Sequence, residues 1–135
     1  MKNVQTIIDL KGGLELLPLA PIRLEVKGFM PLSIEHVGVG PRKGVMIAVS
    51  HTRIQNGDLM VDPEITAEVI DGKWYPVSFE MSGQIYQEAI FVNEDGKVMI
   101  RPALIKDLTA FMKLWNKNIG DQGFVEAAKL PQAAE

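Results

Sequence analysis

The stretch VMIAVSHTRIQNGDLMVDPEITAEVIDGKW, residues 45–74, decides the fold. Its opening, Val45 to Ile54, reads as a strand with both faces apolar at one end. Val45, Ile47 and Val49 point one way, Met46 and Ala48 the other, the pattern of a central strand covered on both sides. Asn56-Gly57 follows, the dipeptide a tight hairpin prefers because both residues tolerate positive φ. Asp71-Gly72 repeats the signal between Val69-Ile70 and a strand opened by Trp74-Tyr75. A third turn, Asn93 to Gly96, separates Ile85–Val92 from Val98–Arg101. Turns this close leave no room for helical crossovers, so the sheet is expected to be antiparallel and largely a meander.

Working outward, Ile22 to Lys27 alternates strictly, with Ile22, Leu24 and Val26 inward. Leu32 and Ile34 continue the theme before a turn at Gly38, Gly40 and Pro41 that carries Arg42 and Lys43 at its tip. At the amino end, Asn3 is placed to cap a short helix whose Val4, Ile7 and Ile8 share a face, stopped near Gly12-Gly13. At the other end, Pro102 starts a helix. Leu104, Ile105, Leu108, Phe111, Met112, Trp115 and Ile119 form one stripe along it, and Gly120 closes it. The predicted class is α+β: a single antiparallel sheet of about six to seven strands, a short N-terminal helix, and an amphipathic C-terminal helix packed on one face. Residues 1–124 are expected to form one domain and 125–135 a flexible tail.

The 135 residues contain no cysteine, which removes disulfide scaffolds, thiolate metal sites and cysteine nucleophiles. Net charge is −3 but unevenly spread: residues 58–95 set Lys73 alone against nine acidic side chains, while the flanking segments are net basic. Direct nucleic-acid binding needs clustered Lys and Arg and is disfavoured; an acidic surface offered to a basic protein partner is favoured. No apolar run approaches the roughly 20 residues that span a bilayer. No leader or anchor is read, and a cytoplasmic location without membrane contact is the expectation.

The densest polar stretch supplies the candidate site: His51, Arg53, Gln55, Asn56, Asp58, Asp62 and Glu64. Asp62 and Glu64 are two apart and share a face in extended geometry. With Asp58 or His51 they would form an oxygen-rich set suited to magnesium, manganese or calcium, although the spacing matches no established metal motif. The competing reading is turn and strand chemistry, with Asp58 or Asp62 accepting backbone N–H bonds and Pro63 at an edge or bulge. His51 shares parity with Ile47 and Val49, so a hydrogen-bonded structural histidine is expected ahead of a ligand or base. Leu59, Met60 and Val61 are expected to be core plugs; left open, they would make a partner or self-association patch. No catalytic residue, metal or cofactor is assigned.

Phe29-Met30-Pro31-Leu32, Gly38-Val39-Gly40-Pro41, Val49-Ser50-His51, Gln55 to Met60, Asp62-Pro63-Glu64, Tyr86 to Ala89, Trp115 and Gln122-Gly123-Phe124 together resemble a small domain-of-unknown-function family carried on bacterial plasmids, integrative elements and phages. The likeness covers about residues 3–124. It implies a mobile-element accessory protein with no assigned reaction. Where such members usually place two aromatic residues after the histidine, Thr52 and Arg53 stand here. The expectation is a non-enzymatic module that binds a protein, such as a host defence or nucleic-acid-handling protein, in a counter-defence role. The alternatives are a metal-dependent hydrolase or nuclease using His51, Asp58, Asp62 and Glu64, and an acidic DNA mimic. Self-association is left open.

Overall fold

A computed structural model describes residues 1–131. Helix α1 (Lys2–Leu10) is followed by strands β1 (Ile22–Leu24), β2 (Leu32–Val39), β3 (Val45–Gln55), β4 (Asp58–Ile70), β5 (Lys73–Met81) and β6 (Ile85–Glu88). These form a six-stranded sheet in chain order with every neighbouring pair antiparallel. Strands β7 (Ile90–Val92) and β8 (Val98–Ile100) make a separate hairpin, and helices α2 (Pro102–Asp121) and α3 (Phe124–Lys129) close the chain. The fold is α+β with an antiparallel meander, as the turn signals predicted. The turns work as expected: Asn56 and Gly57 have φ of 53° and 84°, Asp71 and Gly72 51° and 77°, the twisted pairs that match the strands they join.

One sheet face is the core. Ile22, Ile34, Val49, Ile65 and Phe79 lie in a single register row across five strands, and the first four are buried against the helices. Helix α2 supplies Leu108, Met112, Trp115 and Ile119 from the predicted stripe, while Leu104, Ile105 and Phe111 are partly buried at its margins. An aromatic chain runs through the interface. Phe79 meets Phe111 edge-on at 5.4 Å, Phe111 stacks on Trp115 at 5.7 Å, and the His51 ring lies 5.5 Å from Trp115 and 5.6 Å from Phe124.

Three expectations are corrected. Asn3 does not cap α1, whose cap position is Met1. It sits inside the first turn and staples α1 to α2, its backbone N–H donating to Asn116 Oδ1 and its Nδ2 donating to the Asn116 carbonyl, both at 2.8 Å. Gly120 therefore lies within α2 rather than ending it: a Cβ there would stand 2.5 Å from the Asn3 amide. The helix breaks instead at Gly123, with φ 92°, where left-handed backbone favours glycine. Second, Ile85–Val92 is not one strand. Buried Ala89 interrupts it, donating its N–H to the Val77 carbonyl at 2.7 Å and accepting from Arg101 N–H at 2.8 Å. There the chain leaves the main sheet and begins the β7–β8 hairpin. Third, the expected tail begins with α3, which buries Phe124 and Ala128 against α1, α2 and β1; residues 132–135 lie outside the described residues.

Candidate functional site

Strands β3 and β4 are the longest of the sheet, and their neighbours stop short of their joined end. Pairing with β2 ends at Leu32–His51, and pairing with β5 ends at Glu64–Glu80. Beyond those points β3 and β4 have only each other, with Arg53 opposite Met60, Ile54 opposite Leu59 and Gln55 opposite Asp58. The result is a two-stranded arm tipped by Asn56-Gly57. Its base is tied down by Thr52 N–H to the Pro31 carbonyl at 3.2 Å and by Val61, which donates to Ser82 Oγ at 2.8 Å and accepts from Ser82 N–H at 3.0 Å. On the arm Ile54 is 69% exposed and Leu59 62%. These two face each other across the ladder, so their side chains form one apolar patch in water. Leu59 is thus no core plug; Met60 and Val61 are half-buried.

The sequence-predicted site residues separate into four places. His51 turns into the core between Trp115 and Phe124, and its Nδ1 lies 3.1 Å from the Met30 carbonyl and 3.4 Å from that of Pro31. Carbonyls only accept, so Nδ1 carries the proton. Burial lowers the His51 pKa, opposed by those carbonyls and by the nearby Asp62 carboxylate, so the neutral ring is favoured. Opposite His51 the ladder bulges: Ser50 pairs with Glu64 and Thr52 with Val61, which leaves Asp62 and Pro63 facing one residue. That bulge separates the two carboxylates expected on one face. Asp62 turns to Arg53, 3.5 Å away, while Arg53 also donates to Gln55. Asn56 and Asp58 sit exposed at the tip. Glu64 points to the opposite sheet face, away from His51. Among the described residues no group of three or more His, Asp or Glu side chains converges on a point where a metal would sit.

The face carrying Glu64 holds residues the sequence reading passed over. Register places Ser50, Glu64, Glu80 and Tyr86 in one row and Ala48, Thr66, Ser78 and Glu88 in the next. The signal was present: the outward parity of three successive strands is polar, in Glu64-Thr66, Ser78-Glu80 and Tyr86-Glu88. Of these, Ala48, Glu64, Thr66, Ser78, Tyr86 and Glu88 line, with the β7 strand, an open trough of about 370 Å³. Burial raises the Glu64 pKa, and the Glu80 and Glu35 carboxylates raise it further. An acid held above its unfolded pKa stabilises the protein fully below that unfolded value, about 4.5, and loses this contribution as pH rises through the folded value. Glu80→Gln is therefore expected to raise the thermal midpoint at neutral pH, with the gain vanishing below about pH 4.5; calorimetry across that range checks it, and an unchanged or lowered midpoint at pH 7 contradicts it.

Farther along the same face, Glu68 is fully buried and accounted for. Its carboxylate accepts from the backbone N–H of Gly44 at 2.7 Å and of Arg42 at 3.0 Å, and meets Arg42 Nε at 3.4 Å. The loop Gly40-Pro41-Arg42-Lys43-Gly44 wraps it so closely that a Cβ on Gly40 would lie 2.4 Å from the Glu68 carboxyl carbon. The Arg42 guanidinium covers the Tyr75 ring at 4.4 Å. Glu68, one of the nine acidic side chains of residues 58–95, thus belongs to the scaffold and not to the acidic surface.

No helix of the described residues is long and apolar enough to cross a membrane. Residues 2–125 match the model of a family described as Domain of unknown function (DUF6908). No curated protein matches the chain, and no solved structure does.

Proposed function

We propose, on the premise that this chain belongs to the DUF6908 family of unknown function, that it is a non-enzymatic binding module whose β3–β4 arm engages a protein partner. One observation carries the reading: the exposed Ile54–Leu59 pair on a projecting hairpin, beside the Asn56-Gly57 tip, with Arg53, Gln55, Asp58 and Asp62 on the other face of the ladder. Apolar side chains held away from any core on a projecting arm are the anatomy of a contact surface. Asp58 and Asp62 bias the arm toward a basic partner, since Arg53 is the sole cation on it. A cytoplasmic, mobile-element setting, with a host defence or nucleic-acid-handling protein as target, is what the family likeness noted in the sequence would supply.

The metal-dependent hydrolase or nuclease is less well supported, because His51 faces the core, Glu64 the opposite side and Asp58 the tip. An acidic DNA mimic is weaker too, since Glu64 and Glu80 form one adjacent pair rather than a spaced array and Arg23 lies at the end of their row.

Ile54→Ser with Leu59→Ser should abolish capture of the partner retained by the wild-type chain, with the unfolding midpoint nearly unchanged because both sites are exposed. Affinity capture from a host that carries the element, beside thermal unfolding, reads both. Equal capture by the double variant overturns the reading. Conversion of a wild-type dimer to monomer would instead make the partner a second copy of this chain.

A further inference from the structure

The β7–β8 hairpin leaves one edge of β8 bare. Its ladder is bracketed by two bonds, Asn93 N–H to the Lys97 carbonyl at 2.9 Å and Arg101 N–H to the Ala89 carbonyl at 2.8 Å. Bonded and non-bonded pairs alternate in an antiparallel ladder, so Phe91–Met99 is bonded while Val92–Val98 and Ile90–Ile100 are not. The N–H and C=O groups of Val98 and Ile100 therefore point away from β7, and no other strand pairs with β8 among the described residues. The side chains along this edge also stand in water: Val98 is 41% exposed, Met99 39% and Ile100 56%. An open edge from Lys97 to Arg101, apolar along its middle, is a template for one more strand.

We propose that β8 adds an extended, acidic segment of a partner protein as the third strand of this small sheet. The outward N–H and C=O groups of Val98 and Ile100 receive the main chain of that segment. Charge selects it. Lys97 and Arg101 flank the apolar centre, and neither meets a carboxylate within ion-pair distance among the described residues. The Arg101 side chain rests on the Phe91 ring and donates to the Glu88 backbone carbonyl, which fixes the guanidinium without neutralising it. Helix α2 begins at the next residue, and its first turn holds no acidic side chain to answer the positive end of the helix dipole. The hairpin's own acids, Glu94 and Asp95, lie in the turn before Lys97. An antiparallel segment with an acid opposite each cation and apolar or β-branched residues between them completes the edge. A second copy of this chain does not. Two β8 strands paired with Val98 opposite Ile100, the register that uses every free group, would set Lys97 against Arg101 twice. The same two cations thus bar self-addition and favour an acidic strand. The hairpin shares no strand with the β3–β4 arm, so this inference stands or falls apart from the arm reading.

The test titrates the full chain, labelled with ¹⁵N, with the blocked peptide acetyl-Glu-Val-Thr-Val-Glu-amide, and follows amide shifts and hydrogen exchange. Saturable shifts at Val98 and Ile100 are expected, with exchange of both amides slowed about tenfold at saturation. The peptide with lysine at both ends should bind about tenfold more weakly to the wild-type chain. Lys97→Glu, a change at an exposed side chain, should narrow or reverse that preference. The acidic peptide N-methylated at both valines keeps its charge but loses the donors that face β8, and should protect neither amide. Ile54→Ser with Leu59→Ser should leave the titration unchanged. Absence of saturable shifts at Val98 and Ile100, equal binding of the lysine peptide, or equal binding of the N-methylated peptide overturns the proposal. So does protection that grows with protein concentration alone, which would make the added strand a second copy. Loss of partner capture in the arm variant with a silent peptide titration would sink this inference and leave the arm reading standing; a saturating titration beside unaltered capture by the arm variant would do the reverse.

Discussion

Glu68→Ala is expected to destabilise the protein by about 3–5 kcal/mol, measured by urea unfolding. The residue is a carboxylate without solvent contact whose acceptor capacity is taken by two backbone N–H groups and one guanidinium. Its removal leaves the Arg42 and Gly44 N–H groups without an acceptor, at roughly 1–3 kcal/mol each. The loop that closes β2 onto β3 has then lost its anchor, and a cavity remains beneath it. Against a total of about 5–15 kcal/mol for a typical domain, the variant is marginal. Arg42→Ala should cost much less. Its guanidinium side chain is 36% exposed, and its backbone N–H goes on donating to Glu68 whatever the side chain. A Glu68→Ala variant within about 1 kcal/mol of wild type would show that the cradle is ornamental.

Phe124→Ala is the second large effect, expected at about 3–5 kcal/mol and a fall in thermal midpoint of roughly 10–20 °C. Phe124 is completely buried, and its ring packs on His51. Removing it opens a void beside the imidazole. A local readout separates this from general loosening. With less burial the His51 pKa should rise toward its ordinary 6.5, because desolvation is what lowers it. Stability linked to that histidine is present above 6.5 and lost as pH falls through the lowered folded value, so the variant should show a weaker loss between pH 7 and 5. An unchanged midpoint would return residues 125–129 to the tail the sequence suggested.

What the sequence disclosed and what it concealed divide along a physical line. Features set by residues adjacent in the chain were legible. Asn56-Gly57 and Asp71-Gly72 dictate two turns, the turns dictate the meander, and the 3.6-residue stripe dictates which side of α2 faces the sheet. His51 also followed from parity alone. Features set by distant partners were not. Glu68 looked like any outward strand acid until the Gly40–Gly44 loop folded over it. Asp62 and Glu64 share a face only in a regular strand, and the bulge opposite His51 turns them apart. Ala89 breaks what reads locally as one strand, Ile85–Val92, because Val77 and Arg101 claim its backbone. The i, i+4 pair Phe124 and Ala128 was a signal for α3, but six residues are too few for a periodic pattern to stand out.

The stapling of α1 to the last two helices bears on how the chain matures during synthesis. The sheet can zip strand by strand as it leaves the ribosome, since each strand pairs with the one made just before it. Its apolar side, however, stays open until α2 and α3 emerge, and α1 waits the whole time for partners more than a hundred residues away. A nascent chain stalled after β8 would therefore present a finished sheet with a naked, greasy flank, the state in which a chaperone would find it most readily.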